Sequence, residues 1–294
     1  MNWIAVLVGA RSTGGLDAAI VSDARAAVGG GEPVWLADGL AAEFALTAPS
    51  WRPVDALIRQ TLAGRPIDIA VLPAEGRRKR LFVADMDSTI IGCECIDELA
   101  NFAGVKVEVS GITERAMRGE LDFPSALRHR VELLKGLPLH ALQQAYDERV
   151  RLNPGARTLV QTMAAASAVT ALVSGGFTFF TARVAAAAGF AFNRANVLID
   201  DGAALTGEVG EPILGREAKL AALLELATAN NLEPSDCIAV GDGANDLAMI
   251  EAAGLGVAYR AKPVVADAAR ARIDYADLTA LLYFQGYRES EFAA

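Results

Sequence analysis

Short apolar runs alternate with amphipathic stretches along most of the chain, and the spacing of each predicts its geometry. Residues 4–8 form an unbroken apolar run, the mark of a buried strand. Residues 16–28 read as a helix closed by Gly29-Gly30-Gly31. Residues 33–36 and 41–46 read as two strands around Asp38-Gly39, a hairpin turn signal. A helix over 54–62 and a strand over 67–72 complete the order βαββαβ, the split ferredoxin-like pattern.

A basic run, Arg77-Arg78-Lys79-Arg80, follows. Four positive residues in an acidic chain read as a solvated linker rather than a nucleic-acid patch. Beyond it the pattern becomes strand, helix, strand. Residues 81–84, 168–173, 237–240 and 255–258 read as buried strands. Residues 219–230 carry Leu220, Leu223, Leu224 and Ala227 on one helical face. Such alternation predicts a parallel sheet covered on both sides. Residues from about 95 to 152 interrupt it with helices over 96–102, 112–118, 123–134 and 139–150. Residues 196–199 and 205–209 read as a hairpin turned by Asp201-Gly202. The expected fold is α/β, a Rossmann-like parallel sheet with a helical insertion, preceded by a ferredoxin-like α+β unit. The expected boundaries are 1–76 and 77–294.

Composition narrows the chemistry. The chain has 294 residues, is 53% apolar, and carries 27 basic against 36 acidic residues, a net charge of −9. That balance argues against nucleic acid and anionic membranes as partners. Residues 163–182 lack charge, but Ser167, Thr170, Ser174, Gly175, Gly176, Thr178 and Thr181 interrupt them. They read as a buried helix, a strand and a loop, not as a membrane span. No targeting segment is read at the start of the chain. Two histidines, His129 and His140, exclude His-rich zinc sites and weaken any serine–histidine triad. Three cysteines cannot frame a disulfide scaffold and point to a reducing, cytoplasmic setting.

Ligands of open α/β sheets bind beyond the carboxyl ends of the strands. There the first strand runs into Asp85-Met86-Asp87-Ser88-Thr89 and the second into Ser174-Gly175-Gly176. The third runs into Gly241-Asp242-Gly243-Ala244-Asn245-Asp246, and Lys219 opens the helix before it. Clustered carboxylates need a cation or a proton between them. Hard oxygen donors without histidine or a thiolate pair suit Mg²⁺. A lysine, a serine and glycine amides suit a phosphate. One aspartate is then free to attack phosphorus, and another two residues on can serve as acid and base.

Asp85-Met86-Asp87-Ser88-Thr89, Ser174, Lys219 and the 241–246 segment resemble, in order, the four motifs of the haloacid dehalogenase superfamily. The resemblance covers about 81–260. In finer detail it is similar to the phosphoserine phosphatase family, through Glu94 and through Phe123, Leu127 and Arg130 in the insertion, which there forms a helical cap over about 95–152. The match continues from Val131 through Pro138, and the first 76 residues resemble an ACT-like module.

The resemblance implies Mg²⁺-dependent hydrolysis of O-phosphoserine through an aspartyl-phosphate, the last step of serine synthesis. Asp85 would be the nucleophile and Asp87 the general acid and base. Asp85, the Asp87 carbonyl and Asp242 would hold the metal. Ser174, Gly175 and Lys219 would bind phosphate, Asp246 would place Lys219, and Asn245 would support the phosphate or a metal-bound water. Glu94 would take the substrate ammonium and Arg130 its carboxylate, with Phe123 and Met117 shielding the substrate. A zwitterionic substrate needs one anion and one cation in its pocket, and arginine offers a planar fork for a carboxylate. Glu94 lies between Cys93 and Cys95, flanks that argue for its burial. The same machinery could pass the phosphoryl group to another alcohol such as homoserine, or act on another small phosphomonoester. A homodimer is compatible with this reading, which leaves the oligomeric state open.

Overall fold

The computed structural model describes residues 1–117 and 120–293; the Met117 side chain and residues 118–119 lie outside the described part. The chain opens with β1 (Asn2–Gly9), α1 (Ala18–Val28), β2 (Val34–Ala37), β3 (Ala41–Thr47), α2 (Trp51–Thr61) and β4 (Ile67–Pro73). Asp17 starts α1 by accepting a hydrogen bond from the Ile20 amide at 2.7 Å. The four strands form an antiparallel sheet in the order β2-β3-β1-β4.

Alternate side chains of this sheet go to two different cores. Trp3, Ala5, Leu7, Phe44, Ile69 and Val71 pack on Val21, Ala24, Val54 and Ile58 of α1 and α2. Val6, Val8, Ala41, Ala70 and Leu72 face the other way and join the core of the remaining chain. The sheet is therefore sandwiched, with neither face open. Asp68 lies on the inward-facing set. It is buried, and its carboxylate accepts hydrogen bonds from the backbone amides of Asp274, Tyr275 and Ala276 at 2.7, 3.2 and 2.7 Å.

The basic run is a linker with exposed Arg78 and Arg80, as expected, but Arg77 and Lys79 are half-buried. Arg77 donates to Glu43 at 2.6 Å and to the carbonyls of Phe284 and Tyr283. Arg78 reaches Glu291, and Lys79 reaches the carbonyls of Gly76 and Ser235. Arg77 thereby pins the first sheet, through Glu43, to the segment at 283–284, while Arg78 and Lys79 tie the linker itself to the second part. Their partners lie 34 to 213 residues away for the two arginine ion pairs, which no local pattern announces.

The second part begins with β5 (Leu81–Ala84) and continues with four helices, α3 (Cys95–Ala103), α4 (Lys106–Met117), α5 (Phe123–Glu132) and α6 (Leu139–Arg149). Then come α7 (Ala156–Ala165), β6 (Val169–Phe177), α8 (Thr178–Ala188), β7 (Phe192–Asn196), β8 (Leu198–Asp200), β9 (Leu205–Val209) and α9 (Arg216–Ala229). The chain finishes with β10 (Cys237–Gly241), α10 (Leu247–Ala252), β11 (Leu255–Tyr259), α11 (Pro263–Ala268), β12 (Ala271–Ile273) and α12 (Ala280–Phe284). Six strands form a parallel sheet in the order β12-β11-β10-β5-β6-β7. The chain leaves β5 for β6 on one side and later returns to β10 on the other. The strand order thus reverses beside β5, where such sheets bind ligands.

Several elements depart from the sequence expectation. Helix α4 begins six residues before the expected 112; Val109 is its buried residue among those described, so no apolar face marks the start. Strand β7 was not expected: Phe-Asn-Arg-Ala-Asn occupies a sheet edge with its first three residues exposed, so it carries no buried-strand signature. The expected strand over 196–199 splits between the end of β7 and the start of β8, and the hairpin is β8–β9. Strand β6 also runs past the expected 173, through Ser174-Gly175-Gly176.

Candidate active site

The site gathers at the carboxyl ends of β5, β6 and β10, three neighbouring strands. The Asp85 amide donates to the Val240 carbonyl at 3.0 Å, which continues the sheet pairing and fixes Asp85 at the β5 rim. The chain then makes one wide turn, closed by the Ile91 amide on the Met86 carbonyl at 3.0 Å. That turn swings Asp87 back toward the sheet. Its Oδ1 accepts from the Cys95 amide at the start of α3, at 3.1 Å, while the Ser174 hydroxyl lies 3.4 Å from Oδ2. Asn153 holds the turn from outside, donating to the carbonyls of Thr89 and Ile91 at 2.8 and 3.1 Å. The Thr89 hydroxyl reaches Asp242 at 3.4 Å.

Lys219 is the cation at the centre. Its ammonium lies 2.7 Å from Asp85 Oδ1 and 2.6 Å from Asp246 Oδ1, and all three side chains are buried. Asp246 is fixed in turn by the Gly243 amide, which donates to its other oxygen at 3.1 Å. A Cβ at residue 241 would fall 2.3 Å from the Asp246 carboxyl carbon, so only glycine fits beneath it. One oxygen each of Asp85, Asp242 and Asp246 lies within 4.8 Å of the other two, a spacing that a metal ion can bridge. The Asp87 carboxylate is not a member of that cluster.

Burial shapes the charges. It drives the Asp85 carboxyl well above the ordinary range; Asp246 adds to the rise and Lys219 opposes it. Burial, then the negative charge of Glu94, brings Asp87 to about 7. Asp242 rises to about 6 from burial, then from Asp246 and Glu94. Burial alone would lower Lys219, but Asp246 and Asp85 outweigh it and hold the ammonium above its usual value. The site is thus rich in carboxylates whose charge one lysine does not fully balance.

A serine and two glycines, donor types that suit a phosphate, lie at the end of β6. Ser174 is buried and accepts from the Gly176 amide at 2.9 Å. Asn196 braces the neighbouring loop: it donates to the carbonyls of Gly175 and Leu214 and accepts from the Leu214 amide. The Phe123 ring rests on this floor. A Cβ on Gly175 would meet it at 3.1 Å and one on Gly215 at 3.2 Å. Phe123 opens α5, which Asp122 caps by accepting from the Ser125 amide at 2.9 Å.

The same helix carries Arg130, half-buried, with Nε on the Ala126 carbonyl at 3.2 Å and Nη1 on the Thr113 hydroxyl at 3.4 Å. Burial lowers its guanidinium, and the charges of Asp97, Glu94 and Asp87 raise it. Glu94 is exposed, contrary to the expectation from its cysteine flanks. Cys95 turns inward as α3 begins, while Glu94 stands one position earlier at the rim. Asn245 is half-buried and folds its side-chain oxygen over Gly243.

The fold therefore brings Asp85, Asp87, Ser174, Lys219, Asp242 and Asp246 to one edge, with Phe123 and Arg130 on the insertion and Glu94 at the rim just before it. The Met117 side chain lies outside the described residues. Asn153 and Asn196 escaped the sequence reading, since an isolated asparagine before a helix or at a strand end carries no motif.

A parallel sheet with carboxylates, a lysine and a small-residue loop at its switch point, under a helical insertion, is the architecture of a Rossmann-like hydrolase that works with carboxylates rather than a serine triad. The family model described as haloacid dehalogenase-like hydrolase matches residues 82–251, and the chain belongs to that family. Phosphoserine phosphatase from Polaromonas sp. is 48% identical over 208 residues, 69% of this chain and 88% of that protein. Phosphoserine phosphatase from Archaeoglobus fulgidus is 45% identical over 217 residues; the match takes in 73% of this chain but 63% of the relative's length. A solved phospho-aspartyl intermediate analogue of phosphoserine phosphatase is 39% identical, with a TM-score of 0.65 over 70% of this chain and 99% of that one. Among the described residues no helix is long and apolar enough to cross a membrane.

Proposed function

We propose that this chain hydrolyses O-phosphoserine to serine and inorganic phosphate through a phospho-aspartyl intermediate on Asp85. The observation that carries the reading is the pairing of two sites. A buried Asp85–Lys219 centre lies at the sheet edge, and a cation and an anion stand near each other beside it: Arg130 on the insertion and Glu94, tied to Ser88, at the rim just before it. The likeness to phosphoserine phosphatases, one of them covered over 88% of its length, supports the choice of substrate.

Asp85 attacks phosphorus. Lys219 and Ser174, with the backbone amides of the 174–176 loop, bind the non-bridging oxygens and stabilise the charge that builds there. Asp87, held near 7, is suited to give a proton to the departing serine oxygen and then to take one from the attacking water. Phe123 covers the loop and keeps bulk water from the phosphoryl group. Arg130 binds the substrate carboxylate and Glu94 its ammonium. Asn245 supports the phosphate side of the pocket, and Asp246 places Lys219.

The donor set fits a hard divalent cation. Asp85, Asp242 and Asp246 converge within 4.8 Å, and burial, then the charges of Asp246 and Glu94, raises the Asp242 carboxyl. Asp85, the Asp87 carbonyl and Asp242 would hold Mg²⁺, with Asp246 kept to Lys219 and the Gly243 amide. When bound, the ion supplies Lewis-acid neutralisation of phosphoryl charge.

The reading divides the chain into a phosphatase domain over 77–294, with its cap at about 95–152, and an ACT-like module over 1–76. The βαββαβ order and the β2-β3-β1-β4 sheet support the latter. The unpaired thiols of Cys93, Cys95 and Cys237 fit a reducing, cytoplasmic compartment. A homodimer belongs to the same proposal; the mass of the protein in solution tests it.

The deciding experiment measures phosphate release from a panel of small phosphomonoesters with Mg²⁺, with and without homoserine. Phosphoserine is expected to lead the panel, and Asp85→Asn to abolish its turnover while the circular dichroism spectrum is retained. Wild-type-like turnover by Asp85→Asn, or phosphohomoserine in place of free phosphate, would overturn the proposal.

A further inference from the structure

We propose that Ser88 is a positioning residue whose hydroxyl holds the Glu94 carboxylate in the pose that receives the substrate ammonium. The inference rests on the phosphoserine reading for what Glu94 binds. Its own basis is the local geometry.

The Ser88 hydroxyl donates to Glu94 Oε1 at 2.6 Å, the length of a charge-assisted bond. The Ser88 amide donates to the Cys93 carbonyl at 3.2 Å. Backbone and side chain of one residue thus tie off both ends of the 88–94 loop. Ser88 does this from the left-handed region, at φ 56° and ψ −1°, where a side chain is disfavoured and glycine is the usual occupant. A residue needed only for that backbone shape would be glycine. The hydroxyl is what serine adds.

Glu94 needs such a holder. It is exposed, it stands at the head of α3, and its side chain caps none of that helix's amides. A free glutamate at a rim samples many rotamers, and fixing it on binding costs affinity. Glu94 nonetheless stands close enough to Asp87, Asp242 and Arg130 for its charge to act on all three, and the Ser88 bond fixes where that charge sits. The Ser88 bond occupies one of its oxygens and leaves Oε2 for a cationic ligand.

The test compares Ser88→Ala, Ser88→Gly, Glu94→Gln and the double variant S88A/E94Q on phosphoserine and on its deaminated analogue, 3-phosphooxypropanoate. Ser88→Ala and Ser88→Gly should each raise KM for phosphoserine about tenfold, the worth of one hydrogen bond to a charged group, with kcat little changed. KM for the analogue, which has no ammonium, should not move. The double variant should match Glu94→Gln alone. Rescue by Ser88→Gly, or an equal KM rise on both substrates, would reduce Ser88 to a structural role and overturn the inference. If Glu94→Gln discriminates between the substrates and Ser88→Ala does not, the Ser88 assignment alone fails. If Glu94→Gln does not discriminate, the ammonium role of Glu94 fails with it.

Discussion

The Lys219 ammonium lies 2.7 Å from the Asp85 carboxylate in a pocket where the two side chains are 2% and 7% exposed. Asp246, at 2.6 Å on the other flank, makes the lysine the hub of a buried triad. A buried ion pair stabilises little on balance, because desolvation offsets most of the attraction, but breaking one leaves charge without a partner.

Lys219→Met should therefore injure both stability and turnover. Without the ammonium, Asp85 and Asp246 face each other in the interior, and the Asp85 carboxyl, already raised by burial and by Asp246, rises further. A carboxyl that binds its proton more tightly folded than unfolded loses stability as pH climbs from the unfolded value through the folded one. The deficit relative to wild type should be small near pH 5 and reach about 3–5 kcal/mol near pH 8. Urea unfolding in EDTA at both pH values measures it. A deficit that shrinks as pH rises would remove the buried carboxylates as its cause. Phosphatase activity should fall by roughly a thousandfold.

The carboxylate edge was legible because Asp85, Ser174 and Asp242 each follow an apolar run, whereas Lys219 lies within a helix and took its place from the motif order. Leu81–Ala84 announces Asp85, and Cys237–Gly241 announces Asp242. Strands buried on both faces write themselves as unbroken apolar runs. The braces were not legible. Asn153 and Asn196 act through hydrogen bonds to backbone 18 to 64 residues away, and any surface asparagine looks the same in sequence. The first sheet's order was readable from Asp38-Gly39 and the flanking runs, but its attachment was not. Arg77 and Asp68 read as an ordinary linker cation and an ordinary strand polar residue until their partners near 274–285 come into contact.

Asp68 is the strongest of these attachments and carries its own prediction. Its carboxylate satisfies three backbone amides, those of residues 274–276, just after β12. Asp68→Ala strands those donors at a covered interface, and unsatisfied buried groups cost about 1–3 kcal/mol each before relaxation or water entry. A net loss of about 2–4 kcal/mol is expected in urea unfolding. Turnover under native conditions should be close to wild type, because the β12 edge is three strands from β5. A stability change within error would show that the amides find other acceptors and that Asp68 is not a clamp.

A substitution at Arg130 tests whether substrate recognition can be separated from chemistry. Its guanidinium is held on one edge by Ala126 and Thr113 and lies within reach of the charges of Asp97, Glu94 and Asp87. Arg130→Ala should cut kcat/KM for phosphoserine by about 30- to 5,000-fold, the roughly 2–5 kcal/mol lost with a buried charge-assisted contact. An aryl phosphate has no carboxylate for Arg130 and should lose much less. Steady-state kinetics on both substrates decides the matter: equal losses would take Arg130 out of recognition and leave it a part of the cap's packing.

The carboxylate cluster predicts a response to metal that can be read without any assay of activity. Asp85, Asp242 and Asp246 place oxygens within 4.8 Å of one another, while Lys219 supplies one positive charge to the group. Asp242 is the member without that lysine contact among the ion pairs described, and its carboxyl is raised to about 6 by burial, then by Asp246 and Glu94. A divalent cation should relieve this repulsion and bind the folded state alone, raising the melting temperature in proportion to the logarithm of its concentration above Kd. Thermal unfolding of EDTA-dialysed protein should therefore shift upward on adding MgCl₂, and NaCl at equal ionic strength should not reproduce the shift. Asp242→Ala removes one ligand and one repelling charge together. It should leave the metal-free protein as stable as wild type or slightly more so, and it should abolish the Mg²⁺ response. A variant that keeps the full shift would place the ion elsewhere.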